Sequence, residues 1–130
     1  MRDIVLRFPG VLANDHVNFS VNEGEIHALL GENGAGKTTL MRILYGLYGA
    51  DKGEIFFKGE KVQIHSPHDA IRLGIGMVHQ EFMLVQNFTV IENVALGMSI
   101  TSTPFLELPA VEKKIRDIST QHGFAIDPTV

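Results

Sequence analysis

Cysteine is absent from the 130 residues, which excludes a disulfide framework and any thiolate metal site. No apolar run approaches the ~18 residues that cross a bilayer as a helix. Residues 1–20 lack the apolar stretch of a signal peptide. Charge of one sign never accumulates: the net charge is −4, the two signs are interspersed, and no basic block marks a nucleic-acid footprint. There is no internal repeat and no low-complexity segment. These absences favour a cytoplasmic chain with no nucleic-acid partner and leave docking on a membrane protein open. Hydrophobic residues make up 45% and charged residues 20%, ordinary for one globular domain with one core.

Ile4–Phe8 and Val17–Val21 have the partial alternation of strands. A turn at Asn22-Glu23-Gly24 leads into Glu25-Ile26-His27-Ala28-Leu29-Leu30, nearly continuous in apolar residues like a strand buried on both faces. After a glycine-rich loop, Leu40, Met41, Ile43, Leu44 and Leu47 fall on one helical stripe, closed by Gly46 and Gly49. Glu54–Phe57 and Lys61–Ile64 read as a hairpin turning at Gly59. Ser66-Pro67 starts a short helix to Leu73, with a hydroxyl cap and proline at the first helical position. Ile75–Val78 reads as a short strand. Thr89 caps a helix through Ala95, with Glu92 completing a capping box. Residues 99–104 are polar and read as a loop. A last amphipathic helix spans about Pro109 to His122, with Val111, Ile115 and Ile118 inward and Glu112/Arg116 and Lys113/Asp117 as outer i,i+4 pairs.

The loop Gly31-Glu32-Asn33-Gly34-Ala35-Gly36-Lys37-Thr38 carries the chemistry. Its pattern is Gly-x-x-x-x-Gly-Lys-Thr, between a strand-like run and a helical stripe, as a phosphate cradle requires. Gly34 and Gly36 let the backbone reach positive φ and approach a polyphosphate without a Cβ in the way. Successive N–H groups then form an anion nest, and the following helix adds the partial positive charge of its N-terminus. Lys37 supplies a cation for the β- and γ-phosphates, and the Thr38 hydroxyl a ligand for Mg²⁺. A glycine-rich turn serving only the fold is the bland alternative.

The run Gly31-Glu-Asn-Gly-Ala-Gly-Lys-Thr-Thr-Leu40 resembles the Walker A segment of ABC transporter ATPases. Gly76-Met-Val-His-Gln80, followed by Thr89-Val-Ile-Glu-Asn-Val94, resembles that family's Q-loop. The resemblance implies that Gln80 reaches Mg²⁺ and the attacking water, which an amide suits because it accepts and binds without being a strong base. It also implies that an aromatic at Phe8 stacks on adenine, with Val11 and Ala13 lining the base pocket. Phe8 is tyrosine more often in the family, and a core residue of the first strand is its alternative reading. Arg7–Asp15, Met41–Leu47 and Gly74–Leu84 are similar to ATPases of simple-sugar and nucleoside importers. The implied cofactor contacts are Phe8, Val11, Ala13 and Gly31 through Thr39 for ATP, and Thr38 and Gln80 for Mg²⁺. Lys37 and Gln80 are the implied catalytic groups.

The implied fold is α/β, the N-terminal portion of a P-loop NTPase of the ABC type. It comprises an antiparallel β subdomain, the P-loop strand and helix, and the start of the helical subdomain, with C-terminal strands missing. Residues 1–80 are then the β-rich ATP-binding core and 81–130 the Q-loop and helical part. Neither a Leu-Ser-Gly-Gly nor a Leu-Ser-Val-Gly signature occurs, and no apolar run ends in Asp-Glu. None of the six histidines has the setting of the family's switch histidine, and His27 and His79 read as structural. The chain is therefore expected to be a fragment or truncated product, to bind MgATP, and not to hydrolyse it alone. The implied partners are an integral-membrane permease touched by residues 82–98, a second ATPase domain facing the P-loop and, indirectly, an extracytoplasmic binding protein. The implied place is peripheral, on the inner face of the membrane. A soluble ABC ATPase acting on nucleic acid or ribosomes, and a non-catalytic nucleotide-binding fragment, are the competing readings.

Overall fold

A computed structural model describes residues 1–80, 83–98 and 108–130. The described residues form two compact units, Met1–Val78 and His79–Val130.

The first unit is built on a four-stranded antiparallel sheet: β1 (Arg2–Phe8), β2 (Val11–Val17), β3 (Lys52–Phe57) and β4 (Glu60–Val62), in the order β2-β1-β3-β4. Central β1 buries Ile4, Val5 and Leu6 in succession, as a strand paired on both sides can. The β3–β4 turn is Lys58-Gly59, both at positive φ, the geometry that matches the twist of a two-residue hairpin. Helix α1 (Lys37–Leu44) lays Leu40 and Ile43 against Ile4 and Leu6 to make the core. Helix α2 (Pro67–Arg72) starts as expected: the Ser66 side chain accepts from the Asp69 N–H.

In the second unit, α3 (Val90–Gly97) has the full capping box. Thr89 accepts from the Glu92 N–H, and the Glu92 carboxylate accepts from the Thr89 N–H at 2.8 Å. Two further N–H groups of its first turn, on Val90 and Ile91, donate to the carbonyls of Val130 and Pro128. Helix α4 (Leu108–His122) is tied to residues 124–126 through Ser119. That hydroxyl donates to the Phe124 carbonyl at 2.7 Å and accepts from the Ile126 N–H at 3.2 Å.

Five expectations for local structure are corrected. The strand after β1 is Val11–Val17, so the expected Val17–Val21 strand contributes only its first residue, Val17, to the ladder, opposite Ile4; beyond it Phe19 exchanges backbone hydrogen bonds with Met1. Glu25–Leu30 and Ile75–Val78 have no strand ladder, and Ile26, Leu30 and Val78 are 99%, 88% and 93% exposed. An apolar run becomes a strand only where a neighbour takes its N–H and C=O groups, and among the described residues every ladder lies within β1–β4. The α1 stripe stops at Leu44, before Leu47, because Tyr45 closes the helix and Gly46 follows at φ 78°. On α4, Val111 is buried but Ile118 is exposed, and Ser119 takes the inner place. The Glu112–Arg116 pair forms at 2.8 Å. The loop expected over 99–104, and Glu81 and Phe82 of the Q-loop segment, lie outside the described residues.

Candidate phosphate-binding site

A histidine and a turn set up the approach to the loop. Glu25 accepts from the Asn22 N–H and side-chain amide at 2.9 and 2.8 Å and meets His27 Nδ1 at 2.8 Å. The His27 contact, then those from Asn22, hold the Glu25 carboxyl below its ordinary range. His27 also meets the Phe19 ring edge-on, the structural role expected of it.

Within the loop the Ala35 N–H donates to the Glu32 carbonyl at 3.2 Å. Gly34 and Gly36 stand at φ 84° and 79°. At Gly36 this freedom is indispensable, since a Cβ would come within 2.1 Å of the Ala13 carbonyl oxygen. Lys37 folds its ammonium back over the loop and donates to the carbonyls of Gly31 and Glu32, both at 2.6 Å. Glu32, Asn33, Ala35 and Thr38 are exposed and Thr39 is half-buried.

The three helices α1–α3 differ in their first turns. Ser66 caps α2 and Thr89 caps α3, each with an acidic residue in the first turn. Helix α1 has neither: its cap is Gly36, with no side-chain hydrogen bond and no carboxylate nearby in the first turn. Its leading N–H groups are thus without an anionic or hydroxyl cap from a side chain, which suits an external anion. Among the described residues no group of three or more His, Asp or Glu is placed to hold a metal.

Phe8 ends β1 and lies directly opposite Val11 in the hairpin register. Both are exposed, at 39% and 60%. The Phe8 ring packs edge-on against Tyr48 at 5.4 Å, and the Tyr48 hydroxyl accepts from Arg42 of α1 at 3.1 Å. Ala13 reaches Gly36 through its carbonyl. Phe8, Val11, Ala13 and the loop thus belong to one unit, with the hairpin touching both α1 and the loop's last glycine. Gln80 lies in the second unit, where it is exposed.

Two asparagines went unread in the sequence. Asn14 is 4% exposed and its Nδ2 donates to the Gly36 carbonyl at 3.3 Å. Asn93 accepts from the Val85 N–H at 2.8 Å and donates to the carbonyls of Val85, Phe88 and Thr89 at 3.1 Å each, closing the 85–89 loop onto α3. Thr89-x-x-Glu92-Asn93 carried the signal for the helix start but none for the loop behind it.

The family and its relatives agree with this geometry. The ABC transporter family profile matches residues 14–127, and the chain belongs to that family. It is 52% identical over 128 residues to the guanosine import ATP-binding protein NupO of Bacillus subtilis, covering 98% of this chain and 25% of that one. It is 46% identical over 155 aligned residues to the glucose import ATP-binding protein TsgD13 of Haloferax volcanii, covering 98% and 28%. The fold matches a nucleotide-free ATP-binding cassette from an ABC transporter with a TM-score of 0.74 and 28% identity, over 91% of this chain and 51% of that one. The chain thus spans about a quarter of the length of these two curated relatives and half of the solved cassette. The expected ABC ATPase fold, as a portion, is the one found.

Proposed function

We propose that this chain binds MgATP as the energy-coupling ATP-binding part of an importer for nucleosides or simple sugars. The observation that carries the reading is the pairing of an uncapped α1 with a loop whose only cation, Lys37, is latched on loop carbonyls. The uncapped terminus of α1 and the Lys37 ammonium flank the same glycine-rich loop, the two features that favour a bound phosphate. The relatives that import guanosine and glucose support the transport side of the reading.

In this reading the N–H groups of Gly31 through Thr39 cradle the phosphates. Lys37 bridges the β- and γ-phosphates, Thr38 gives its hydroxyl to Mg²⁺, and Phe8 stacks on the base with Val11 and Ala13 beside it. Gln80 meets Mg²⁺ and the attacking water in the catalytic state. Residues 1–80 serve as the ATP core and 81–130 as the Q-loop and start of the helical part. A membrane permease is the partner of residues 82–98, a second ATPase domain faces the loop, and an extracytoplasmic binding protein selects the cargo. The working place is the inner membrane face. Among the described residues no helix is long and apolar enough to cross a membrane, in keeping with a peripheral attachment.

Hydrolysis of a cradled triphosphate also needs groups that position the attacking water. The 130 residues hold no apolar run closing on Asp-Glu, so this polypeptide binds without turnover. Calorimetric titration with MgATP tests the binding. Lys37→Ala is expected to weaken it about 10- to 100-fold, the loss of charge-assisted hydrogen bonds. Equal affinity of the two chains would overturn the reading. Phosphate release above background that disappears in Lys37→Ala would overturn the second part.

A further inference from the structure

Strand β2 is irregular where it passes the phosphate loop. In the β1–β2 register Leu12 faces Arg7 and Asn14 faces Leu6. Ala13 is left between them without a partner on β1, which is a β-bulge. A bulge bends a strand and re-aims the groups beside it. Here it presents two groups to Gly36. One is the Ala13 carbonyl, 2.1 Å from where a Cβ on Gly36 would stand. The other is the Asn14 side chain, whose Nδ2 donates to the Gly36 carbonyl at 3.3 Å. That same carbonyl accepts the first helical hydrogen bond of α1, from the Leu40 N–H at 2.9 Å. One acceptor therefore joins the loop, the helix and the strand.

Asn14 occupies this place at a cost. It is almost fully buried, and its Oδ1 is buried with no hydrogen-bond partner among the described residues. An orphaned buried carbonyl is destabilising, because it gives up water without gaining a partner. An apolar side chain of the same size would pack against Leu6 and its neighbours without that cost. The one hydrogen bond the amide makes ends on the phosphate loop.

We propose that Asn14 is a positioning residue for the phosphate loop. From the bulge at Ala13 its amide fixes the Gly36 carbonyl, and with it the stance of the loop and the first turn of α1 on the hairpin that carries Phe8. The device acts on the phosphate end of the nucleotide and leaves base choice untouched. It rests on the phosphate-binding reading above.

The test uses the whole chain and three probes: MgATP, MgGTP and magnesium tripolyphosphate, each titrated calorimetrically, with thermal unfolding measured in parallel. Asn14→Leu removes the bond and the orphaned Oδ1 together. The expected result is about a fivefold weaker Kd for all three probes, the worth of one net hydrogen bond. The ATP-to-GTP ratio and the number of sites per chain should stay constant, and the unfolding midpoint should equal or exceed that of the wild type. Asn14→Asp, which keeps the volume but sets a carboxylate against the Gly36 carbonyl, should weaken all three further. Wild-type affinity in a folded Asn14→Leu would overturn the proposal, as would a loss confined to the number of competent sites with Kd unchanged. Should Asn14→Leu not fold, Asn14→Asp decides: unchanged Kd values sink the idea. A wild-type chain that binds no MgATP overturns the phosphate reading, and this one with it.

Discussion

Gly36→Ala and Gly34→Ala form a matched pair, because the two glycines share a conformation and differ in surroundings. Both lie in the left-handed region, at φ 79° and 84°, where an L-residue costs about 1–2 kcal/mol. At Gly34 an added Cβ meets nothing within 4 Å, whereas at Gly36 it meets the Ala13 carbonyl oxygen at 2.1 Å and Asn14 Nδ2 at 3.0 Å. A backbone carbonyl cannot rotate aside, so Gly36→Ala adds an overpacking cost of about 1–3 kcal/mol. Gly34→Ala should therefore lose about 1–2 kcal/mol, and Gly36→Ala about 2–5. At about 4 °C per kcal/mol for a domain of this size, the two midpoints should differ by about 4–12 °C. Thermal unfolding by circular dichroism, in nucleotide-free buffer, reads this difference without touching ligand binding. Equal midpoints would refute the claim that β2 is pressed against the phosphate loop.

Four other outcomes are expected. Phe8→Ala should weaken MgATP by about 1–3 kcal/mol if the ring stacks on the base while leaving magnesium tripolyphosphate unchanged; equal losses on both probes would show a packing role instead. The Asp69 carboxyl, held first by the Ser66 hydroxyl, then by the His65 N–H and Arg72, sits at about 2 against an ordinary 3.8. Its contribution is therefore complete above the ordinary value and is lost as pH falls from about 4 towards 2. Asp69→Asn should flatten the acid limb of a pH-dependent denaturation curve, and an unaltered limb would contradict this. Thr89→Ala removes the α3 cap and should cost about 1 kcal/mol in denaturant unfolding, with Thr89→Ser recovering most of it. Asn93→Ala should speed hydrogen exchange at the Val85 amide, which donates to Asn93 Oδ1; unchanged protection there would mean that the loop is held by other contacts.

Local chemistry was legible where a residue type answers a backbone need on the spot. The glycines of the phosphate loop, Ser66-Pro67 and the Thr89/Glu92 box all announce themselves within four residues, and each stands where expected. The fold class followed from the resemblance that the phosphate loop and the Gln80 segment carry to ABC transporter ATPases. Strand β2 was illegible because its bulge at Ala13 and the positive φ of His16 break the two-residue period. That also hid Asn14, whose burial depends on a strand not read. Glu25–Leu30 was misread in the opposite sense. Its apolarity announces a buried strand, but a ladder is a property of two segments, and one segment's composition cannot supply the other. Ile118 and Ser119 exchanged places for a related reason: the hydroxyl is wanted inside to serve Phe124 and Ile126, a need that lies beyond the helix itself.

The Lys37 ammonium, seated on the Gly31 and Glu32 carbonyls, turns nucleotide capture into a trade. An arriving phosphate does not meet a bare cation; it must outcompete two neutral dipoles that already occupy it. The measured affinity is then the difference between two sets of bonds, and smaller than the strength of the phosphate set alone. The same trade runs backwards on release, when the carbonyls are at hand to receive the ammonium, so the departing anion never leaves it stranded. Strengthening those two carbonyl contacts would shorten residence time, and weakening them would lengthen it, with no change in any group that touches the nucleotide.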